Sequence, residues 1–492
     1  MASTIAVDEH LHVRVVSRRL VKASDSSIKP HVLAVSNLDL IPQTTQGSLF
    51  VIYPKPPTTD FNTIVAAFEA GLPSLLNHFF PFAGRIVTDR SSGLPEVHCN
   101  NQGAELVVGE ATAAALASLD YGNLSKCLRK IQLPYGEDMA LSVQVVSFAC
   151  GGFTVAWSTN HVLVDASAMS LLVTAWSELM RSGTLAAGSL PNHDRSILRP
   201  RVPPSYSAAV LDEAFTPLDP RRQVNVLTAE QSFVERLYFI EASDIARLRE
   251  MASGRDDGNG TRATRVQAVS AYLWKALATV VGMADARCRM GWWVNGRQRL
   301  TSSPELRAAM RSYVGNVVTV VVKEASADEL QRMALPDVAA MVREAIAAPA
   351  YEEHFQELVD WVEEHKTQRY VDTASLGLGS PTVIVSAGGA SPTDTDFGFG
   401  RAVLLAPTSA LTARLCSGYV QTVANPSGDG SWFANAVVWP RLAAALEADE
   451  PRVFKPVTAE YLGLVLPARK SDMSVSDSKL SAPKLDSITC EL

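Results

Sequence analysis

The sequence lacks most of the patterns that place a chain quickly. Its six cysteines (Cys99, Cys127, Cys150, Cys288, Cys416 and Cys490) are scattered over 492 residues with no Cys-x-x-Cys pair. That usage fits free thiols in a reducing compartment and gives no reason to expect a disulfide framework or a structural zinc. Positive charge is not in excess either. The net charge of -7 removes the electrostatic footprint of a nucleic-acid binder. No Walker loop, no Gly-x-Gly-x-x-Gly after a strand and no Gly-x-Ser-x-Gly elbow is present, so nucleotide hydrolysis, hydride transfer and serine hydrolysis all lose ground.

Long apolar runs are nearly absent. Asp8, Glu9, Arg14, Arg18 and Arg19 interrupt the N-terminal stretch, so no signal peptide is expected. The uncharged span from Met139 to Asn160 is long enough for a bilayer, but Gly151-Gly152 and its interspersed Ser, Thr and Gln read as two strands joined at a turn. Near the end, Ser478-Lys479-Leu480 is internal and Cys490 lies one position short of a prenylation site. The expectation is a soluble, cytoplasmic protein. A hydrophobic share of 47% with 19% charged residues describes an ordinary packed globule, and the length calls for two or more domains.

What is present is organised around Cys150 to Ser170. Phe153 to Ser158 alternates as a half-buried strand does, Thr159-Asn160 breaks the pattern, and His161 follows. From Ser167 onward Leu171, Leu172, Ala175, Trp176 and Leu179 recur at helical spacing. A histidine at a strand-to-helix junction, four residues before Asp165, suits general-base chemistry. The same residues also suit a plain structural reading, with Asp165 as the N-cap of the helix. His193 and Cys150 are near in sequence, but no ligand spacing joins them to His161 in a metal site.

Elsewhere the chain alternates irregularly between helix and strand. Strands are expected at His12 to Val16, Leu49 to Tyr53, Glu96 to Cys99, Ala104 to Val108, Ser232 to Ile240, Thr382 to Ser386, Ala402 to Leu405 and Val437 to Trp439. The apolar run Val317 to Val322 reads as a strand buried on both faces. Helices are expected at Asp60 to His78, Ala111 to Leu116, Ser243 to Met251 and Ala339 to His365, the last interrupted near Pro349. Thr264 and Gln267 form a capping box for a helix through Val280. Residues 183–226, rich in proline, read as a linker; Ser253 to Thr261 reads as an exposed loop, and the tail from Lys470 as disordered. Asp396-Phe-Gly, without the other kinase signatures, reads as a glycine-containing turn. The reading is a mixed α/β architecture.

In order along the chain stand Phe80-Pro-Phe-Ala-Gly-Arg85, Cys99-Asn-Asn-Gln-Gly103, His161-Val-Leu-Val-Asp165, Asp194-Arg195, Thr264 to Trp274, Val294-Asn-Gly-Arg-Gln-Arg299, Tyr313-Val-Gly-Asn316 and Asp396-Phe-Gly-Phe-Gly400. This ordered set resembles the plant BAHD acyl-CoA-dependent acyltransferases, over nearly the whole chain to residue 460. The resemblance implies a chloramphenicol acetyltransferase-like fold of two similar-sized domains, each a mixed β-sheet flanked by helices. Residues 1–182 would form the first, 183–226 a crossover loop, 227–466 the second and 467–492 a disordered tail. It implies transfer of an acyl group, hydroxycinnamoyl or benzoyl, from acyl-CoA to a hydroxyl or amine of a small plant metabolite. His161 would be the general base, without an acyl-enzyme. Asp165 would point away and pair with Arg297, and Asp396, Gly398 and Gly400 would be structural. Thr264 and Arg265 are the candidates for the phosphorylated end of CoA. No bound cofactor, metal, nucleic acid or membrane is implied, and the protein would be a monomer.

Three departures from the family pattern bear on substrate. Ala166 stands where glycine usually follows the motif aspartate, and Phe399 where tryptophan is usual. Ser386-Ala387-Gly388-Gly389 replaces a Ser-Trp-x-Arg segment whose arginine meets the carboxylate of shikimate or quinate, so neither is expected as an acceptor. A CoA-thioester hydrolase and a catalytically silent binding protein are the rival readings.

Overall fold

The computed structural model describes residues 11–42, 45–217, 233–254, 262–281, 286–368, 370–376, 380–388, 393–409, 417–448, 450 and 452–465. The tail 467–492, the second part of the 183–226 linker and most of the Ser253–Thr261 loop lie outside these residues.

Two mixed sheets carry the fold. The first has six strands in the order Arg14–Val21, Ala104–Ala111, Ser142–Phe148, Phe153–Asn160, Gln46–Tyr53 and Leu404–Ser409. Only the Ala104–Ala111 and Ser142–Phe148 pair is parallel. The second has seven strands, with Arg287–Asn295, Thr382–Gly388 and Gly418–Ala424 running parallel side by side near its middle. Helices Phe61–His78 and Ala166–Ser182 contribute Phe68, Leu72, Leu172 and Trp176 to the first core. Ala242–Ser253, Arg265–Val281, Leu335–Ala347 and Pro440–Ala448 cover the second. A third, smaller core forms under helix Tyr351–His365, to which Leu198 and Leu211 contribute and against which Ile197, Tyr206 and Phe215 pack. There the buried Asp360 carboxylate accepts from the Arg201 amide at 2.7 Å and pairs with its guanidinium at 2.5 Å.

The halves are not separate in space. Leu404–Ser409 comes from within 227–466 yet completes the edge of the first sheet against Gln46–Tyr53. Before it, Phe397 drops into the first core. It stacks on Trp157 with ring centroids 5.7 Å apart, meets Trp176 edge-on at 6.0 Å and lies 5.1 Å from Phe68.

Several sequence expectations need correction. Phe153 to Ser158 reads as half-buried with a break at Thr159-Asn160, but the strand runs through Phe153–Asn160 and is buried at every residue, because it is a central strand with partners on both sides. Conversely, the run Val317 to Val322, read as buried on both faces, falls in Val318–Ser326, an edge strand with Val322 38% exposed. Apolar continuity alone does not separate these cases. The helix expected at Ala111–Leu116 does not form. Ala111 is the last residue paired in the ladder with Phe148, and a single 3₁₀ turn, Leu116–Ser118, follows. Gly418–Ala424 was not foreseen as a strand.

Truncating a large aromatic at the meeting point of Trp157, Trp176 and Phe68 removes contacts that neighbouring rings cannot refill. Phe397→Ala should cost about 3–5 kcal/mol of stability, seen as a lower denaturant midpoint, and Phe397→Leu distinctly less. An unchanged midpoint for Phe397→Ala would show that this segment does not anchor the fold.

Candidate active site

The strand that delivers His161 ends by a local device. Asn160 Oδ1 accepts from the Val162 amide at 3.1 Å and its carbonyl from Leu163 at 3.0 Å, which turns the chain out of the sheet. His161 is held at that turn by its amide, which donates to the Thr45 carbonyl at 2.7 Å. Four residues later Asp165 caps helix Ala166–Ser182, its Oδ1 accepting from the Ala168 amide at 2.9 Å. The structural reading of Asp165 as an N-cap and the implied pairing with Arg297 are therefore both realised.

The second oxygen of Asp165 looks into the other half of the chain. It accepts from Arg297 Nη1 at 2.6 Å and from the Val317 amide at 3.0 Å. Both side chains are buried, at 8% and 3% exposure. A buried ion pair holds together only when its remaining hydrogen-bonding positions are filled, and here they are. Arg297 also donates through Nε to the Tyr313 carbonyl at 3.1 Å and through Nη2 to the Gly315 carbonyl at 2.7 Å. Its own amide is fixed by Asn295 Oδ1 at 3.0 Å. Burial by itself would raise the Asp165 pKa. The Arg297 charge and the hydrogen bonds from Arg297, Ala168 and Val317 outweigh it and hold the carboxyl below its ordinary value.

By clasping residues 313–317, Arg297 places Asn316 against the histidine. His161 Nδ1 lies 3.1 Å from Asn316 Oδ1, while Asn316 Nδ2 donates to the His161 carbonyl at 2.7 Å and to Asp39 Oδ1 at 2.9 Å. Asp39 Oδ1 also accepts from the Asn316 amide at 2.8 Å. Asp39 is itself fully buried. Its other oxygen accepts from Ser36 in a reciprocal capping box and pairs with Arg195 at 2.9 Å. The Tyr313 ring lies beneath two guanidiniums, Arg195 at 5.2 Å and Arg297 at 5.9 Å.

Among the residues expected at the site, His161, Asp165 and Arg297 come together. Thr264 and Arg265 line the same cavity, which measures ≈ 2700 Å³ and runs between the two sheets. The expected capping box at Thr264 is present, with Thr264 N to Gln267 Oε1 at 2.8 Å and Gln267 N to Thr264 Oγ1 at 3.2 Å. Asp396, Gly398 and Gly400 lie elsewhere, and none of residues 396–400 lines that cavity. Asp396 closes its own turn by accepting from the Gly398 amide at 2.9 Å, and Arg181 donates to its carbonyl. Gly398 and Gly400 adopt φ of 93° and 104°, and space around them is open, so the backbone conformation alone demands glycine there. Phe399 lies against Phe68 and Phe153.

His193 does not join His161. It is buried, its Nε2 donates to the His78 carbonyl at 3.1 Å, and desolvation pushes its pKa down to about 4. Cys150 sits exposed on the hairpin after Ser142–Phe148. Among the described residues no three His, Cys, Asp or Glu side chains gather as a metal site would require. Asp39 and Asn316 are the two site residues that sequence reasoning passed over. Ser36-x-x-Asp39 is a legible capping pattern, but nothing local ties it to Asn316.

A sequence profile of the Transferase family matches residues 11–420. The chain is 28% identical over 441 residues to agmatine hydroxycinnamoyltransferase 1 of Oryza sativa, covering 83% of this chain and 93% of that one. It is 25% identical over 409 residues to omega-hydroxypalmitate O-feruloyl transferase of Arabidopsis thaliana, covering 81% and 85%. The crystal structure of vinorine synthase shares the fold with a TM-score of 0.64 at 21% identity, over 92% of this chain and 98% of that one. TRI101 of F. graminearum, crystallised with ethyl coenzyme A, does so with 0.68 at 14%, over 87% and 99%. The chain belongs to this transferase family, the BAHD acyltransferases, and is an acyl-CoA-dependent acyltransferase.

Proposed function

We propose that the protein transfers an aromatic acyl group, hydroxycinnamoyl or benzoyl, from acyl-CoA to the hydroxyl or amine of a small metabolite, with His161 as general base. The observation that carries this reading is the fixed orientation of the imidazole. Asn316 cannot turn its amide, because Nδ2 is already committed to the His161 carbonyl and to Asp39. An oxygen facing Nδ1 calls for a proton on Nδ1. The lone pair is then left on Nε2, which has no protein partner among the described residues, in a histidine that lines the cavity. A base needs that form.

The reaction then runs without a protein nucleophile. As the acceptor oxygen or nitrogen forms its bond to the thioester carbonyl carbon, its proton moves to Nε2. The carbon–sulfur bond breaks, and the departing CoA sulfur receives that proton from the imidazolium. Positioned proton transfer of this kind is worth roughly 10²–10⁴-fold in rate. Asp165, Arg297, Asn316 and Asp39 act through His161 by holding it. Thr264 and Arg265, at the start of helix Arg265–Val281, are suited to the phosphates of CoA. Ser386 and Ala387 line the cavity, while Gly389, which stands in the sequence where an arginine would meet an acceptor carboxylate, lies outside the described residues; a glycine in that position supports acceptors other than shikimate and quinate. We read the protein as a cytoplasmic monomer with residues 183–226 as the crossover between its domains.

The reading is tested by following thiol release from hydroxycinnamoyl- and benzoyl-CoA with and without pools of alcohols and amines. Release should depend on acceptor, and His161→Ala should abolish it. Acceptor-independent release would mark a thioester hydrolase instead, and substantial activity in His161→Ala would end the general-base mechanism.

The Asp165 geometry makes a separate prediction. Because its folded pKa is depressed, its contribution is complete above the unfolded-state value of about 3.9 and is lost as pH falls through the folded value. Asp165→Asn strands a buried guanidinium, so it should be roughly 3 kcal/mol less stable than wild type at neutral pH. Unfolding measured across pH should show that gap closing below about pH 4. A gap of constant size into acid would mean that the ion pair is not what Asp165 contributes.

A further inference from the structure

The cavity walls differ in charge. Arg249, Arg265, Arg299, Arg307 and Arg311 line it from the C-terminal half, against two acidic residues there, Glu235 and Asp372; the Arg297 charge is already paired with Asp165. Its lining residues up to Thr174, from the N-terminal half, include no lysine or arginine but do include Glu137 and Asp138. A polyanionic CoA is drawn to the arginine wall, which leaves the N-terminal wall to face the acceptor.

That wall contains one built polar cluster. Gln132 closes helix Leu124–Ile131, its amide donating to the Leu128 carbonyl at 2.7 Å, and the next residue is fixed by Leu133 N to Gln144 Oε1 at 2.8 Å. From this pinned backbone the side chain reaches three adjacent strands. Its Nε2 donates to Ser48 Oγ and to Ser158 Oγ, the latter at 3.1 Å, and its Oε1 accepts from Thr408 at 3.3 Å. Ser48 in turn donates to Ser158 at 2.8 Å. The Thr408 strand is the one lent by the C-terminal half, and Gln132, Ser48 and Thr408 all line the cavity.

The N–H groups of Gln132 and the hydroxyl protons of Ser48 and Thr408 are spent inside the cluster. What it can still offer a ligand is lone pairs, on Gln132 Oε1 and Thr408 Oγ1, since Ser48 Oγ is taken up by Gln132, Ser158 and Tyr135. Ser158 lies three residues before His161 on the same chain segment, which turns out of the sheet after Asn160, so their Cα atoms are at most about 10 Å apart.

We propose that the Gln132–Ser48–Thr408 cluster selects the acceptor, by accepting a hydrogen bond from a second donor group, an ammonium or hydroxyl, within roughly 10 Å of the atom that is acylated. The inference rests on the acyltransferase reading above. It specifies a bifunctional polar acceptor, a diamine, amino alcohol or diol, over a monofunctional chain of equal length. The acidic Glu137 on the same wall favours the ammonium, whereas Asp138 already faces the Arg85 guanidinium at 3.6 Å. A site built to pair with an N–H or O–H discriminates strongly against the analogue lacking it, because its own polar groups are then left unpaired.

The test uses full-length enzyme with p-coumaroyl-CoA and compares diamines and diols with monoamines and monoalcohols of matched chain length. Wild type should favour the bifunctional acceptor by about tenfold or more in kcat/KM. Gln132→Leu should erase most of that preference while leaving KM for the acyl-CoA unchanged. Thr408→Val, which removes one lone-pair site from an exposed wall, should reduce it in part and serves as the milder variant if Gln132→Leu folds poorly. Equal use of both acceptor types by wild type would overturn the inference while leaving acyl transfer intact. So would an undiminished preference in the folded Thr408→Val or Gln132→Leu enzyme. Absence of transfer to every acceptor would count against the proposed function itself.

Discussion

Asp165 is a carboxylate that the fold has buried, and its need for a partner organises the centre of the molecule. Taking a carboxylate out of water costs several kcal/mol unless a charge and hydrogen bonds replace the lost solvent. The replacements come from residues more than a hundred positions away, Arg297 at 2.6 Å and the Val317 amide at 3.0 Å. Satisfying one buried charge therefore forces the end of strand Arg287–Asn295 and the segment before Val318–Ser326 onto the turn that carries His161. The histidine inherits its geometry from that constraint. Asn316 sits in the clasped segment, and Asp39 then fixes which way its amide faces.

The same economy explains why the two signature motifs differ in kind. His161 to Asp165 places one side chain in the cavity and one in the joint between halves. Asp396 to Gly400 places its aromatic side chains in the first core and turns the chain sharply before Leu404–Ser409 enters the first sheet. A segment from the second half is thereby tied to the first by packing rather than by charge. Loss of either joint would loosen the cavity walls, although neither Arg297–Asp165 nor Phe397 is expected to touch a reacting atom.

Local physics was legible where a side chain decides its own surroundings. Thr264 with Gln267, the helix entrance at Asp165 and the hairpin at Gly151-Gly152 all follow from caps and turns. The resemblance to a family supplied the Asp165–Arg297 pairing, which no periodicity contains. What was not legible depended on neighbours. Phe153–Asn160 and Val318–Ser326 exchanged their expected burial because strand order, not composition, decides which strand is central. Asp39 and Asn316 stood in plain view as Ser36-Asn-Leu-Asp39 and Tyr313-Val-Gly-Asn316. Their contact joins positions 277 residues apart, and only the assembled fold reveals it.

General-base action by His161 Nε2 requires one protonation state, with the proton on Nδ1 facing Asn316. Nitrogen NMR of the enzyme labelled with ¹⁵N-histidine, with the His161 signals assigned by their loss in His161→Gln, reads this directly at a pH where the ring is neutral. The account predicts a protonated, pyrrole-like Nδ1 and a bare, pyridine-like Nε2. A bare Nδ1 with the proton on Nε2 would contradict it, because the nitrogen left free by the protein would then have no lone pair with which to take the acceptor's proton.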